Sequence, residues 1–108
     1  MKYLVLLLVL AVHVRAQSLV ASCSTCTVGQ IVTFTGMGFP TLTGAKDHYL
    51  ACFSPGSCVL LPKADNPVVD GVITFDWAFP TGQFNVCIVR RRSKKPEVVM
   101  ACTEIAVS

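Results

Sequence analysis

Charge is scarce in this chain. Asp, Glu, Lys and Arg make up 14% of its 108 residues, while 53% are hydrophobic, so the disordered class, which combines low hydrophobicity with high net charge, is excluded. Histidine is scarcer still: His13 and His48 are the two in the sequence. A Ser-His-Asp arrangement would have to use His48 after Asp47, and no G-x-S-x-G elbow accompanies it. His48 therefore reads as a polar loop residue. The Cys-Ser-Thr-Cys at 23–26 has no second C-x-x-C, and a zinc site needs about four ligands. A redox role for it would want a strand-to-helix setting, which its β-branched neighbours do not offer. Asp65, Asp70 and Asp76 lack the spacing of a calcium loop, and Asp70-Gly71 reads as turn chemistry. From these absences we expect no enzyme activity, no cofactor and no metal.

Long apolar runs are also missing. The longest is residues 4–12, nine in all, well short of the roughly 20 that span a bilayer. Lys2 precedes it, and Val14 and Ala16 stand at the −3 and −1 positions of a cleavage site, the pattern of a secretory signal peptide over residues 1–16. The expected mature protein is then one domain, 17–108, secreted and extracellular. Without Lys2 and Arg15, seven of the nine Lys and Arg remain against six Asp and Glu, a net charge of +1.

What is plentiful is cysteine. Cys23, Cys26, Cys52, Cys58, Cys87 and Cys102 all fall in the mature part, and an even count in a small secreted chain reads as a disulfide framework. No helix of normal length can be written, because apolar residues alternate with period two and Gly or Pro interrupts them often. Seven strand-like segments emerge, at 19–28, 30–36, 48–53, 58–61, 72–79, 83–91 and 97–107. Short strands at that spacing predict an all-β antiparallel sandwich. Ile73, Phe75, Trp77 and Phe79 share one strand face, as do Phe84, Val86 and Ile88, and both sets are expected in the core. With Ser93 to Pro96 as a hairpin tip, placing Cys87 opposite Cys102 also puts Phe84 opposite Ile105, Val86 opposite Thr103 and Ile88 opposite Ala101 on the inner side. Asn85 then faces Glu104, and Val89 faces Met100, on the outer side. A slip by one residue would break both the bridge and the core pattern. Cys52 and Cys58 flank a Pro-Gly turn and form a second local staple, which leaves Cys23 for Cys26. Six cysteines allow fifteen connectivities, and this scheme is one of them.

The stretch G-Q-I-V-T-F-T-G-M-G-F at 29–39 resembles the second strand and turn of bacterial and fungal immunoglobulin-like domains. G-V-I-T-F-D-W-A-F-P-T-G-Q-F-N-V-C at 71–87 is similar to their late strands. Local bridges between the third and fourth strands and across the final hairpin resemble those of the neocarzinostatin group of small secreted sandwiches. The resemblance implies a seven-stranded immunoglobulin-like sandwich. In that group a cleft holds a small chromophore, and no residue here matches a ligand-contact motif. The ending A-C-T-E-I-A-V is more distantly similar to the last strand of a family of secreted lipid-binding sandwiches, although the upstream cysteine spacing differs.

Arg90, Arg91, Arg92, Lys94 and Lys95 hold five of the seven mature cations. Like charges so close together need solvent or an anion, and a hairpin tip would hold them outward. The expected function is a secreted, non-enzymatic binding or interaction protein that contacts a polyanionic surface or glycan through this loop. The bland alternative is a solvated tip that serves solubility. A carrier of a small apolar ligand or lipid, and a secreted effector or toxin, are the other classes. No aromatic residue interleaves with the cations, which argues against specific single-stranded nucleic-acid recognition. The signal-peptide reading predicts that secreted protein starts at Gln17. Intact-mass measurement on protein from a secretory host checks this, and retention of residues 1–16 would overturn it.

Overall fold

The computed structural model describes residues 17–108, so the expected signal peptide at 1–16 lies outside the described residues. Among the described residues, eight strands form two sheets. The smaller sheet has the order β1-β3-β6, made of Ser18–Ala21, Ile31–Met37 and Ile73–Ala78. The larger has the order β2-β8-β7-β4-β5, made of Thr25–Cys26, Val98–Val107, Gly82–Arg91, His48–Ser54 and Cys58–Leu61. The expected all-β, two-sheet architecture is present, with one strand more than the seven expected.

The extra strand comes from the first segment. Residues 19–28, read as one irregular stretch, divide between the sheets. β1 pairs antiparallel with β3, then the chain crosses over and β2 pairs parallel with β8. The crossover is pinned by the Cys23–Cys26 bridge and by bonds from the Ala106 and Ser108 amides to the Ser24 and Cys26 carbonyls. A short loop carrying a disulfide satisfies its backbone on the edge of β8, which period-two patterning alone does not reveal.

Alternation builds the core between the sheets. On β3, Val32 and Phe34 point inward and are fully buried, while Ile31, Thr33 and Thr35 do not share that face. Phe34 stacks on Phe75 at 4.8 Å and meets the edge of Phe79 at 5.9 Å; from the other sheet, Phe53 meets Phe79 at 5.4 Å. Such pairs add about 0.5–1.5 kcal/mol each beyond their buried area. Ile73, Phe75 and Phe79 are buried as expected, but Trp77 is not. β6 is the outer strand of its sheet and the facing edge strand, β5, is only four residues long. Trp77 therefore stacks one face on Phe53 at 4.9 Å and leaves the rest of the ring at the open edge, 37% exposed.

The final hairpin follows the expected register from Gly82 opposite Val107 through Cys87 opposite Cys102 to Ile88 opposite Ala101. One expected pair is corrected. Val89 stands opposite Val99, not Met100, because β8 bulges at Met100, opposite the step from Ile88 to Val89 of β7. The extra residue, Met100, packs with Ala101 against the core, and a bulge is the way a strand turns a side chain from one face to the other. Asp70-Gly71 forms the expected turn. Both residues have positive φ, 53° and 79°, and Val69 and Val72 exchange both backbone bonds around them.

Gly36 sits where the small sheet packs tightly on its own neighbour strand, on the loop after β3 and on Ile88 of the large sheet. A Cβ there would stand 2.7 Å from the Phe39 ring, 3.0 Å from Ile73 and 3.2 Å from Ile88. All three neighbours are buried, so none can swing away. Gly36→Ala is expected to cost about 1–3 kcal/mol by overpacking. That lowers Tm by several degrees at the roughly 4–8 °C per kcal/mol of a domain this size. An unchanged melting temperature would show that the sheets can separate freely at this point.

Candidate functional site

The strands run alternately, so their ends fall into two groups. At one end lie the loops after β3, β5 and β7, that is residues 38–47, 62–72 and 92–97. All seven cations of residues 17–108 belong to this end: Lys46, Lys63, Arg90, Arg91, Arg92, Lys94 and Lys95. Four acids join them, Asp47, Asp65, Asp70 and Glu97, giving seven minus four, or +3. The two remaining acids, Asp76 and Glu104, sit in β6 and β8 toward the opposite end. The domain is therefore polarised along its strands, with one basic end built by three loops and not by the hairpin alone.

The five cations expected to act together have different fates. Arg90 continues the inward face of Phe84, Val86 and Ile88, where a guanidinium needs a partner. Asp47 supplies it. Arg90 donates from Nε to Oδ1 at 3.0 Å and from Nη2 to Oδ2 at 2.7 Å, a bidentate pair with Asp47 buried and the Arg90 side chain 19% exposed. Arg91 points to the other face and pairs with exposed Glu97 across the base of the hairpin. Arg92 is half-buried, and its Nε lacks a hydrogen-bond partner, as does Nδ1 of half-buried His48. Lys94 and Lys95 stand exposed at the tip. Thus Arg90 is a structural ion, while Arg91, Lys94 and Lys95 form the outward-facing part of the run. His48 opens β4 beside Arg91 and is not a loop residue.

From the sequence, Asp47 is named only as the neighbour of His48, and Lys63 is not singled out. The signal for Asp47 was available: alternation points Arg90 inward, and an inward cation demands an acid from a neighbouring loop. Lys63 joins through the loop fold, where its Nζ donates to the Gly44 carbonyl. The loop of residues 38–47 is held down by Tyr49, whose hydroxyl donates to the Pro40 carbonyl at 2.7 Å and whose ring packs edge-on against Phe39 at 5.4 Å. Burial pushes the Tyr49 hydroxyl above its ordinary pKa. The Arg90 hydrogen bonds hold the Asp47 carboxyl below its ordinary value, against the opposing effect of burial, with the charges of Arg90, Arg92 and Lys63 adding to the lowering.

Three of the depressions among the described residues bear on function. The largest, about 430 Å³, lies at the opposite end along Gln83, Phe84, Asn85 and Glu104. One of about 160 Å³ lies at the basic end between Leu42, Lys63 and Val68. One of about 180 Å³ enters between the sheets at the open edge beside Trp77, lined by Ala51, Val59 and Phe75. Comparison with protein families, with curated proteins and with solved structures returns no match to this chain.

The Asp47–Arg90 pair gives an acid-stability prediction. A depressed carboxylate contributes stability that is complete above its unfolded pKa, ordinarily 3.8, and is lost as pH falls through the lower folded value. Asp47→Asn is expected to lose about 3 kcal/mol at pH 7, the low end for breaking a buried pair because Arg90 is partly exposed. Between pH 4 and 2 the variant's stability should fall less steeply than that of the wild type. Urea melts across that range check this, and parallel profiles would remove Asp47 from the account.

Proposed function

We propose that this protein is a secreted immunoglobulin-like binding module that meets anionic partners through its basic end. The observation that carries the proposal is the gathering of every cation of residues 17–108 at the end formed by three loops. Strand order supports the immunoglobulin-like part. β1, β3 and β6 take the places of strands A, B and E, and β8, β7, β4 and β5 those of G, F, C and C′. Loops at one end of such a sandwich are where variable domains bind. The three disulfides are consistent with an extracellular setting.

Lys94 adds a second line of support. It holds a left-handed backbone, φ 60°, at the hairpin tip, where Gly or Asn would be less strained. A residue kept in a costly conformation fits a site where its charge is used. The carrier reading finds less support. The space between the sheets is occupied by Phe34, Phe53, Phe75 and Phe79, and the cleft beside Trp77, about 180 Å³, is smaller than the roughly 300–1,000 Å³ of ligand pockets, while the depression of about 430 Å³ is lined largely by polar Ser24, Ser54, Gln83, Asn85 and Glu104.

Binding of this kind is electrostatic and falls steeply as salt rises, because it is driven by counterion release. The secreted protein is expected to be retained on heparin resin at low salt and released by a salt gradient. Replacing Arg91, Lys94 and Lys95 by Ser should abolish retention. Melting should hardly change, since exposed surface substitutions usually stay within about 0.5 kcal/mol. Lys94→Gly separates charge from structure: it should weaken retention while leaving Tm equal or higher. Wild-type protein passing through the resin unretained would reduce the basic end to a solvated surface.

A further inference from the structure

The register of the large sheet brings four cysteines into one row. Cys58 stands opposite Cys52 on β5 and β4, Cys52 opposite Cys87 on β4 and β7, and Cys87 opposite Cys102 on β7 and β8. All four belong to the outer face, since the alternate residues Ala51, Phe53, Val86 and Ile88 point into the core. Two disulfides, Cys52–Cys58 and Cys87–Cys102, therefore lie end to end across four strands. The end cysteines, Cys58 and Cys102, are exposed, and the middle two are half-buried.

We propose that this row is a thiol–disulfide exchange site whose substrate is a small external thiol. Exchange proceeds by attack of a thiolate on a disulfide sulfur, with the other sulfur leaving. The favoured path is in line, and the register sets the Cα atoms of Cys87, Cys52 and Cys58 in the order attacking, central and leaving. In the first step an external thiolate attacks exposed Cys102 Sγ. A mixed disulfide forms at Cys102, the Cys87–Cys102 bond breaks, and the electron pair leaves on Cys87 Sγ. Asn85 assists there, because its Nδ2 lies 3.6 Å from Cys87 Sγ and donates toward the sulfur that gains charge. In the second step Cys87 Sγ attacks Cys52 Sγ. A Cys52–Cys87 bond forms, the Cys52–Cys58 bond breaks, and Cys58 Sγ leaves as a thiolate that takes a proton from water.

The balance closes without an oxidant. One external thiol and two protein disulfides become one mixed disulfide, one protein disulfide and one protein thiol. The middle pair can bridge without rearranging the sheet. Opposed residues of an antiparallel pair have Cα atoms about 4.5–5.5 Å apart, within the roughly 4.4–6.8 Å that disulfides span. Entry from the other end, at Cys58, gives the mirror product with the thiol on Cys102.

Tryptic digestion reads the outcome directly. Cleavage after Lys46, Lys63, Arg90 and Lys94 places Cys52 and Cys58 in 47–63, Cys87 in 64–90, and Cys102 in the C-terminal peptide. The native bridges join 64–90 to the C-terminal peptide and leave 47–63 closed on itself. The secreted protein would be treated with reduced glutathione at pH 8, quenched with acid, alkylated with N-ethylmaleimide and digested without reduction. The expected product joins 47–63 to 64–90, with glutathione on one of Cys58 and Cys102 and the alkyl group on the other. More than half of the glutathione-bearing molecules should carry that new link. The Cys52→Ser, Cys58→Ser double variant should instead carry glutathione on Cys102 and the alkyl group on Cys87. Wild-type protein with glutathione on Cys102, alkyl on Cys87 and 47–63 still closed would overturn the proposal. So would wild-type protein in which neither Cys58 nor Cys102 reacts.

Discussion

The antiparallel pairing of β4 with β7 is the constraint on which the rest of the molecule turns. These are two of the three inner strands of the large sheet, and their register is set by seven paired positions from His48 opposite Arg91 to Ser54 opposite Asn85. On the inner face it opposes Ala51 to Ile88 and Phe53 to Val86, so that both strands feed one core. On the outer face it opposes Leu50 to Val89 and Cys52 to Cys87. Leu50 and Val89 are buried although they lie outside the main core, beside more exposed Leu60 and Val99 and next to the cystine row. A slip of one residue would send Cys52 and Leu50 inward and Ala51 and Phe53 outward, and would separate Arg90 from the loop that carries Asp47.

The same pairing explains how the charge is divided. Arg90 is an inward position of β7, and the loop entering β4 brings Asp47 to it. Asp47 and Arg90 neutralise each other, so the net +3 of this end is carried by the six remaining cations against Asp65, Asp70 and Glu97. The buried pair and the exposed basic surface thus follow from one arrangement. The pair fixes the start of β4 against the end of β7, and Tyr49, two residues further on, ties the long loop of 38–47 to the same place through Pro40. A basic end assembled on two pinned strands is held more rigidly than a free hairpin tip would be.

Much of this was legible in the sequence because period-two alternation carries it. Val32, Phe34, Phe75, Val86 and Ile88 are buried where alternation puts them, and the bridge between Cys87 and Cys102 follows from matching core faces across a hairpin. What escaped has a common cause: it depends on which strand lies at an edge. Trp77 has the right parity for the core, but parity does not say that β6 ends the small sheet. Residues 19–28 look like one strand because each half alternates, and nothing local signals that the halves join different sheets. Met100 has outward parity until the bulge turns it inward. The basic run was visible as a charge cluster, yet its division into a buried ion, an ion-paired residue, a half-buried arginine and two exposed lysines needs the inward face of Arg90 and the positions of Asp47 and Glu97.

The disulfides do a different job from the one they perform in antibody domains, where a bridge joins the two sheets. Here two of the three lie within the large sheet, and the third closes the crossover between Cys23 and Cys26. Their sequence separations are 3, 6 and 15 residues, so even the longest restricts the unfolded chain by only about 3 kcal/mol in the chain-entropy picture. No covalent bond ties Phe34 and Phe75 of one sheet to Phe53 and Val86 of the other. Cohesion between the sheets therefore rests on aromatic packing, on the close approach at Gly36 and on the loops at the two ends. Bridges confined to the outer face can be exchanged without separating the sheets, which leaves the cystine row free to do chemistry while the aromatic core holds the fold.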